Sequence, residues 1–219
     1  CYLNGVGVPL DRKQALDWLI KAWNKKGHSE AECAEEIGMI YLQGAEDIPS
    51  DLQKAIQWFT RGSEAGSTDS CLFLGTCYQH GMGVEPDGEK AISYYTRACK
   101  PGAPSTEMAV MNIGSIYEEG MEGVEKNPEI AIQWYKKGAG EGLAMCAVRL
   151  GDSYRDGTNG MNIDLEQAMK WYKEASRMEG PGAGMALARM GEVHDYLGGS
   201  QYHNMKKAIT LYTKAANAN

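Results

Sequence analysis

One seven-residue word, Gly-x-x-Tyr-x-x-Gly, recurs along this chain at nearly even intervals. It reads Gly38-Tyr41-Gly44, Gly75-Tyr78-Gly81, Gly114-Tyr117-Gly120 and Gly151-Tyr154-Gly157. A truncated copy, Tyr2 and Gly5, opens the chain, and a degraded copy, Gly191-His194-Leu197, stands near its end. Self-similarity at a period of roughly 36–40 residues is the signature of stacked repeats, each a small unit that cannot bury its apolar face alone. Such an array offers a long surface instead of one catalytic pocket.

A second word follows each copy. Ala, an aromatic three residues on and a small residue four further on appear as Ala15-Trp18-Ala22, Ala55-Trp58-Gly62, Ala91-Tyr94-Ala98, Ala131-Trp134-Gly138 and Ala168-Trp171-Ala175. In Ala208-Leu211-Ala215 the aromatic is replaced. Spacings of i, i+3 and i+7 share one helix face, so each word predicts a helix with a buried stripe. Gly and Pro between the words, as in Gly81-Met82-Gly83-Val84-Glu85-Pro86, predict a turn. The chain therefore reads as alternating A and B helices, with B at 11–25, 51–64, 87–100, 127–140, 164–178 and 204–217. Helix A is expected at 29–43, 67–80, 104–119, 143–156 and 183–197. The repeats run 1–28 (partial), 29–66, 67–103, 104–142, 143–182 and 183–219, as one array over 1–219 with no linker. Ser50 or Asp51, Asp87 and Asp164 are candidate N-caps. Asp47-Ile48-Pro49, Glu122 and Gly180-Pro181-Gly182 read as turn insertions. Tyr41, Tyr78, Tyr117 and Tyr154 are expected against neighbouring B helices, with Trp58, Tyr94, Trp134 and Trp171 filling the facing layer. The helix-A glycine is expected to let two helices approach closely, against about 1 kcal/mol of helix propensity.

The net charge of −7 argues against nucleic acid as the main partner, because phosphate binding needs a basic face. No apolar run reaches the roughly 18 residues of a membrane span, so no membrane insertion is expected within this segment. Cys33, Cys71 and Cys146 fall in core phase, and none of the six cysteines forms a C-x-x-C pair. Reduced, buried thiols are the reading, with a cytoplasmic setting favoured and the secretory pathway or ER lumen left open. Residue 1 is Cys and lies within a repeat, so the chain reads as an excerpt of a longer array. His194 and Leu211, where aromatics are expected, suggest a cap-like last repeat.

The best copy of the combined word is Leu74-Gly75, Tyr78, Gly81, Gly83-Val84, Asp87, Lys90-Ala91, Tyr94-Tyr95 and Ala98. It resembles the Sel-1-like repeat, a relative of the tetratricopeptide repeat, and the resemblance covers essentially the whole chain. It implies an all-α fold, a right-handed α-solenoid (superhelix) of antiparallel helix pairs, acting as an adaptor or scaffold in protein complexes. A cysteine-rich branch of the family staples its helices with disulfides. Cys99 and Cys71 match two of its positions, but Val110 and Ser63 stand where their mates belong. That branch has also been linked to β-lactam hydrolysis, yet no Ser-x-x-Lys occurs here to supply an activated serine.

Four scattered histidines include no His-Glu-x-x-His, so no metal site is expected, and no cofactor. His194 reads as a half-buried substitute for the motif tyrosine. Gly5-Val6-Gly7 and Gly81-Met82-Gly83 lack the Gly-Lys-Ser/Thr of a phosphate loop and read as turns. If helix A lines the inner, concave face, as in tetratricopeptide relatives, the residues just after the motif Gly and Tyr project inward. These are Met39, Leu42, Thr76, Gln79, Ser115, Glu118, Asp152, Arg155, Glu192 and Asp195. Met108, Met111, Met145, Val148 and Met185 extend the row toward the helix starts. The expected function is non-enzymatic: a protein–protein interaction scaffold that binds a protein or peptide with apolar anchors and a basic segment. The alternatives are a regulatory or docking domain of a larger enzyme and a hydrolase of the cysteine-rich branch.

Overall fold

The computed structural model describes residues 11–25, 29–45, 48–196, 210 and 213, with the backbone alone at 195 and 196. Apart from residues 210 and 213, both helical, the expected helix at 204–217 lies outside the described residues, as do the Tyr2–Gly5 copy and Leu197. Among the described residues the secondary structure is ten α-helices and two isolated β-bridges, so the fold is an all-α solenoid of helix pairs. The chain divides into two compact units, residues 1–109 and 110–219.

In the first unit lie α1 (Arg12–Asn24), α2 (Glu30–Gln43), α3 (Leu52–Glu64), α4 (Thr68–His80), α5 (Gly88–Ala98) and the start of α6 (Ser105–Glu119). Helix α2 packs on α1 and α3, and α4 on α3 and α5. In the second unit, α8 (Ala144–Asp156) packs on α7 (Pro128–Gly140) and α9 (Leu165–Ala175), and α10 (Pro181–Tyr196) on α8 and α9. Every expected helix within the described residues forms.

Short-range chemistry sets the boundaries. Asp11, Asp51, Asp87, Asn127 and Asp164 each accept the backbone N–H three residues on, so the B helices start where their caps stand. A cap of this kind contributes about 1 kcal/mol. The motif tyrosine closes the hairpin through its backbone. The carbonyls of Tyr41, Tyr78, Tyr117 and Tyr154 accept from Asp51, Asp87, Asn127 and Asp164 at 2.7–2.9 Å. Gly81 and Gly157 end their helices in the left-handed region, where a side chain would be strained.

Two expected insertions turn out to be packed. Ile48 is buried with Leu16, Ile37 and Ile40, so that turn contributes to the core. Pro181 and Gly182 already belong to α10, because proline is preorganised for a first turn. A Cβ on Gly182 would lie 2.7 Å from the Ala144 backbone, so glycine there lets α10 start against α8.

The aromatic layer differs from the expected one. The interior ring is the residue after the word's aromatic: Phe59, Tyr95, Tyr135 and Tyr172 are buried. Trp58, Tyr94, Trp134 and Trp171 are half-buried, and Trp18 is 59% exposed. Basic side chains lie over several of these outer rings, Lys21 on Trp18, Arg61 on Trp58, Arg97 on Tyr94 and Lys137 on Trp134. That arrangement suits a ring with one face toward water. Tyr78 stacks on Tyr94 with centroids 5.6 Å apart.

The small residue at the end of each B word admits the next A helix. A Cβ on Gly62 would meet Ser70 Oγ at 2.4 Å, and one on Gly138 would meet Cys146 Sγ at 2.5 Å. Cys33, Cys71 and Cys146 are buried as expected, and so is Cys77, whose thiol burial pushes up to about 11.

Candidate functional site

Four helix-A glycines lie on a buried ring from helix B. A Cβ on Gly75, Gly114 or Gly151 would come within 2.2–2.6 Å of Tyr95, Tyr135 or Tyr172, and one on Gly38 would come 3.0 Å from Phe59. The rings pass beneath the glycines, and the hydroxyls of Tyr95 and Tyr172 reach residues one and four positions beyond them. Buried tyrosines require partners for their hydroxyls. Tyr95 Oη donates to Gln79 Oε1 at 2.6 Å and lies 3.2 Å from Thr76 Oγ1. Tyr172 Oη donates to Asp152 Oδ1 at 2.8 Å. The Tyr135 hydroxyl faces the charges of Glu118 and Arg149 without a hydrogen bond of ordinary geometry. Phe59 has no hydroxyl, and its neighbourhood is apolar, with Leu42 packed on its cluster and Met39 exposed beside Gly38. The polarity of the row thus tracks the identity of the ring beneath it.

In the second unit the row becomes a network of alternating charge. Glu118 accepts from Arg149 and from the Asn159 carboxamide. Asn159 also donates to Ser153 Oγ, and it holds a positive φ of 56°, which a short polar side chain tolerates. Arg155 grips both oxygens of Asp156 at 2.7 and 2.8 Å and reaches Glu192 at 3.0 Å and Asp152 at 3.3 Å. Arg189 joins Asp152 at 3.2 Å and Glu192 at 2.9 Å. The hydrogen bonds from Arg155 hold the Asp156 carboxyl below the usual range. Apart from Glu192, these side chains border a polar hollow of about 600 Å³, with Lys126 and Thr158 on its rim. Beside it lies a hollow of about 510 Å³ lined by Ile163, Leu165 and Val193, sharing Arg155 and Asp156.

Of the ten residues singled out from sequence, Glu118, Asp152 and Arg155 border the polar hollow, and Glu192 joins them through Arg155. Met39, Leu42, Thr76 and Gln79 lie in the first unit. Ser115 is half-buried beside Gly114, and the Asp195 side chain lies outside the described residues. Of the methionine extension, Met108 and Met185 are exposed, Met111 and Met145 half-buried, and Val148 fully buried. Sequence reasoning misses Arg149, Arg189, Asn159 and Lys126. A signal is present for two of them: Arg149 and Arg189 each stand two residues before a motif glycine, and Arg189 pairs with Glu192 at i+3.

The network makes alkaline stability informative. Burial, and next the Glu118 charge, raise the Tyr135 hydroxyl above the ordinary tyrosine range. Burial and the Asp152 charge do the same for Tyr172. Unfolded tyrosine ionises near 10, so this stabilisation is complete below about pH 10 and is lost as pH rises from there toward the folded-state value. Each tyrosine contributes a slope of up to about 1.4 kcal/mol per pH unit. Urea midpoints measured from pH 8 to 11 are expected to fall beyond about pH 10, less steeply in Tyr172→Phe. An equal slope in that variant contradicts the assignment.

A protein-family model described as Sel1 repeat matches residues 1–24, 31–67, 68–101, 108–143, 144–179 and 184–219. The chain is 31% identical over 134 residues to the chitin synthase regulator SKT5 of Saccharomyces cerevisiae, covering 59% of this chain and 18% of that protein. It is 28% identical over 133 residues to cytochrome c oxidase assembly factor 7A of Xenopus laevis, covering 59% of this chain and 56% of that protein. Among solved structures, a Sel1 repeat protein from Oxalobacter formigenes is similar with a TM-score of 0.75 and 30% identity, over 100% of this chain and 84% of that one. A protective antigen of uropathogenic Escherichia coli strains, displaying an SLR fold, is similar with a TM-score of 0.76 and 28% identity, over 99% of this chain and 44% of that one. The chain spans less than two thirds of the length of both the regulator and the assembly factor.

Proposed function

Because this chain belongs to the Sel1 repeat family, we propose that it is a non-enzymatic docking scaffold that binds a partner protein through its helix-A row. The observation that carries this reading is the second-unit hollow. Its walls are side chains already fixed by hydrogen bonds and ion pairs, so ordering them on binding costs little. The binding residues proposed are Met39, Leu42, Thr76 and Gln79 in the first unit, and Ser115, Glu118, Asp152, Arg155, Glu192 and Asp195 in the second. Exposed Met39 and Ile163 are the proposed contacts for apolar anchors. The acids alone point to a basic partner segment; the arginines facing them remove that preference. The names of the regulator and the assembly factor agree with a role exerted on other proteins. The small share of the regulator that this chain spans supports a second reading, a docking domain within a larger regulatory protein.

Site-specific photo-crosslinking in cells of the source organism tests the row. A crosslinker at Met39 or Thr158 is expected to give discrete protein adducts. The same group at Gln57 or Gln133, exposed on B helices, is expected to give none. Equal adducts from both sets contradict docking through helix A.

A further inference from the structure

We propose that the polar hollow of the second unit receives an acidic side chain of the partner, and the neighbouring hollow an aliphatic side chain beside it in the same peptide segment. This inference rests on the docking function proposed above. It follows from an inventory of donors and acceptors. The acids of the network are largely occupied: both oxygens of Glu118, Asp156 and Glu192 accept from side chains, and Asp152 Oδ1 is shared among Tyr172, Arg155 and Arg189.

The donors are not exhausted. An arginine has five N–H groups and a lysine three. Exposed Lys126 has no ion pair or hydrogen bond among the described residues. The Thr158 hydroxyl adds a donor on the same rim. Four cations and three acids border the hollow, and Glu192 beyond its wall balances them, so the acidic excess of the chain, −7 overall, is absent here. A group that only accepts, a carboxylate, satisfies leftover donors that a lysine or arginine would leave unpaired. The adjoining apolar walls reach solvent through Ile163, which is 69% exposed. Covering that side chain with an aliphatic neighbour of the acid removes apolar surface from water.

The test is selection from random peptides displayed as internal segments, which offer side-chain carboxylates but no free C-terminus, with the whole chain as bait. Three further baits are Lys126→Glu with Thr158→Asp, both at exposed positions, and, separately, Ile163→Asp and Met39→Asp. The expected result is enrichment of Asp or Glu next to Leu, Ile or Val. Binding of those peptides should weaken by at least about five-fold with the Lys126/Thr158 bait, the scale of one well-placed surface charge pair. It should also weaken as salt rises. Enrichment of basic peptides, or acidic peptides that bind the double variant equally well, overturns the charge assignment. The docking function still stands in that case if Ile163→Asp or Met39→Asp abolishes binding. Peptides enriched only with a free C-terminal carboxylate, in a parallel library, overturn the side-chain assignment. Failure of every library to enrich overturns both proposals.

Discussion

Gly114→Leu is expected to destabilise the second unit by at least about 2 kcal/mol, the range found for overpacked cores. The starting geometry leaves no room: a Cβ at residue 114 would lie 2.2 Å from Tyr135 Cε1 and 2.6 Å from its hydroxyl oxygen. The ring is fully buried, so it cannot swing into solvent. Replacing glycine within a helix recovers about 1 kcal/mol of propensity, which the clash outweighs. Gly140→Ala supplies the control, because a Cβ there meets nothing within 4 Å and only the propensity gain remains. Combining Gly114→Ala with Tyr135→Ala should show strong non-additivity, since deleting the ring removes the obstacle. Hydrogen exchange read at α6 and α7 is the suitable measurement, because repeat arrays do not always unfold as one cooperative unit. Unchanged protection in Gly114→Leu contradicts the packing described.

Tyr172→Ala is expected to cost about 3–5 kcal/mol, the scale of deleting a buried aromatic. Tyr172 is 0% exposed beneath Gly151 and between α8 and α9. Tyr172→Phe separates the ring from its hydroxyl. It keeps the volume and removes one charge-assisted hydrogen bond to Asp152, a loss of about 1.5–3 kcal/mol at most. Asp152 retains Arg155 and Arg189, so the carboxylate is not stranded. Urea denaturation of the two variants checks the order. If Phe costs as much as Ala, the ring contributes little and the hydrogen bond dominates.

The helices were legible because the repeated words carry their own punctuation, with Asp or Asn caps before the B helices and glycine after four of the A helices. The choice of interior ring was not. In a helix, positions i+3 and i+4 from the word's alanine both fall near the buried face, so Trp134 and Tyr135 compete on equal terms of periodicity. Packing breaks the tie, since only Tyr135 runs under Gly114. One local clue does exist: Lys21, Arg61, Arg97 and Lys137 each stand three residues after the outer ring, marking its face as wet. The charge of the row was legible only in part. Following the positions after the motif Gly and Tyr counts Glu118, Asp152 and Glu192 but skips Arg149 and Arg189, which enter from another register of the same helices.

The passage of each helix-B ring beneath its glycine ties what the surface displays to what the interior holds. Tyrosines lie below polar residues, and the phenylalanine lies under methionine and leucine. A lone Tyr172→Phe leaves Asp152 with one donor fewer, and a lone Phe59→Tyr brings a hydroxyl up among apolar neighbours. Changing what such a row displays is therefore a two-site move, one residue in the core and one at the surface. Variation at the buried ring should travel together with variation one and four residues beyond the motif glycine. Anyone re-engineering the row has to begin underneath it.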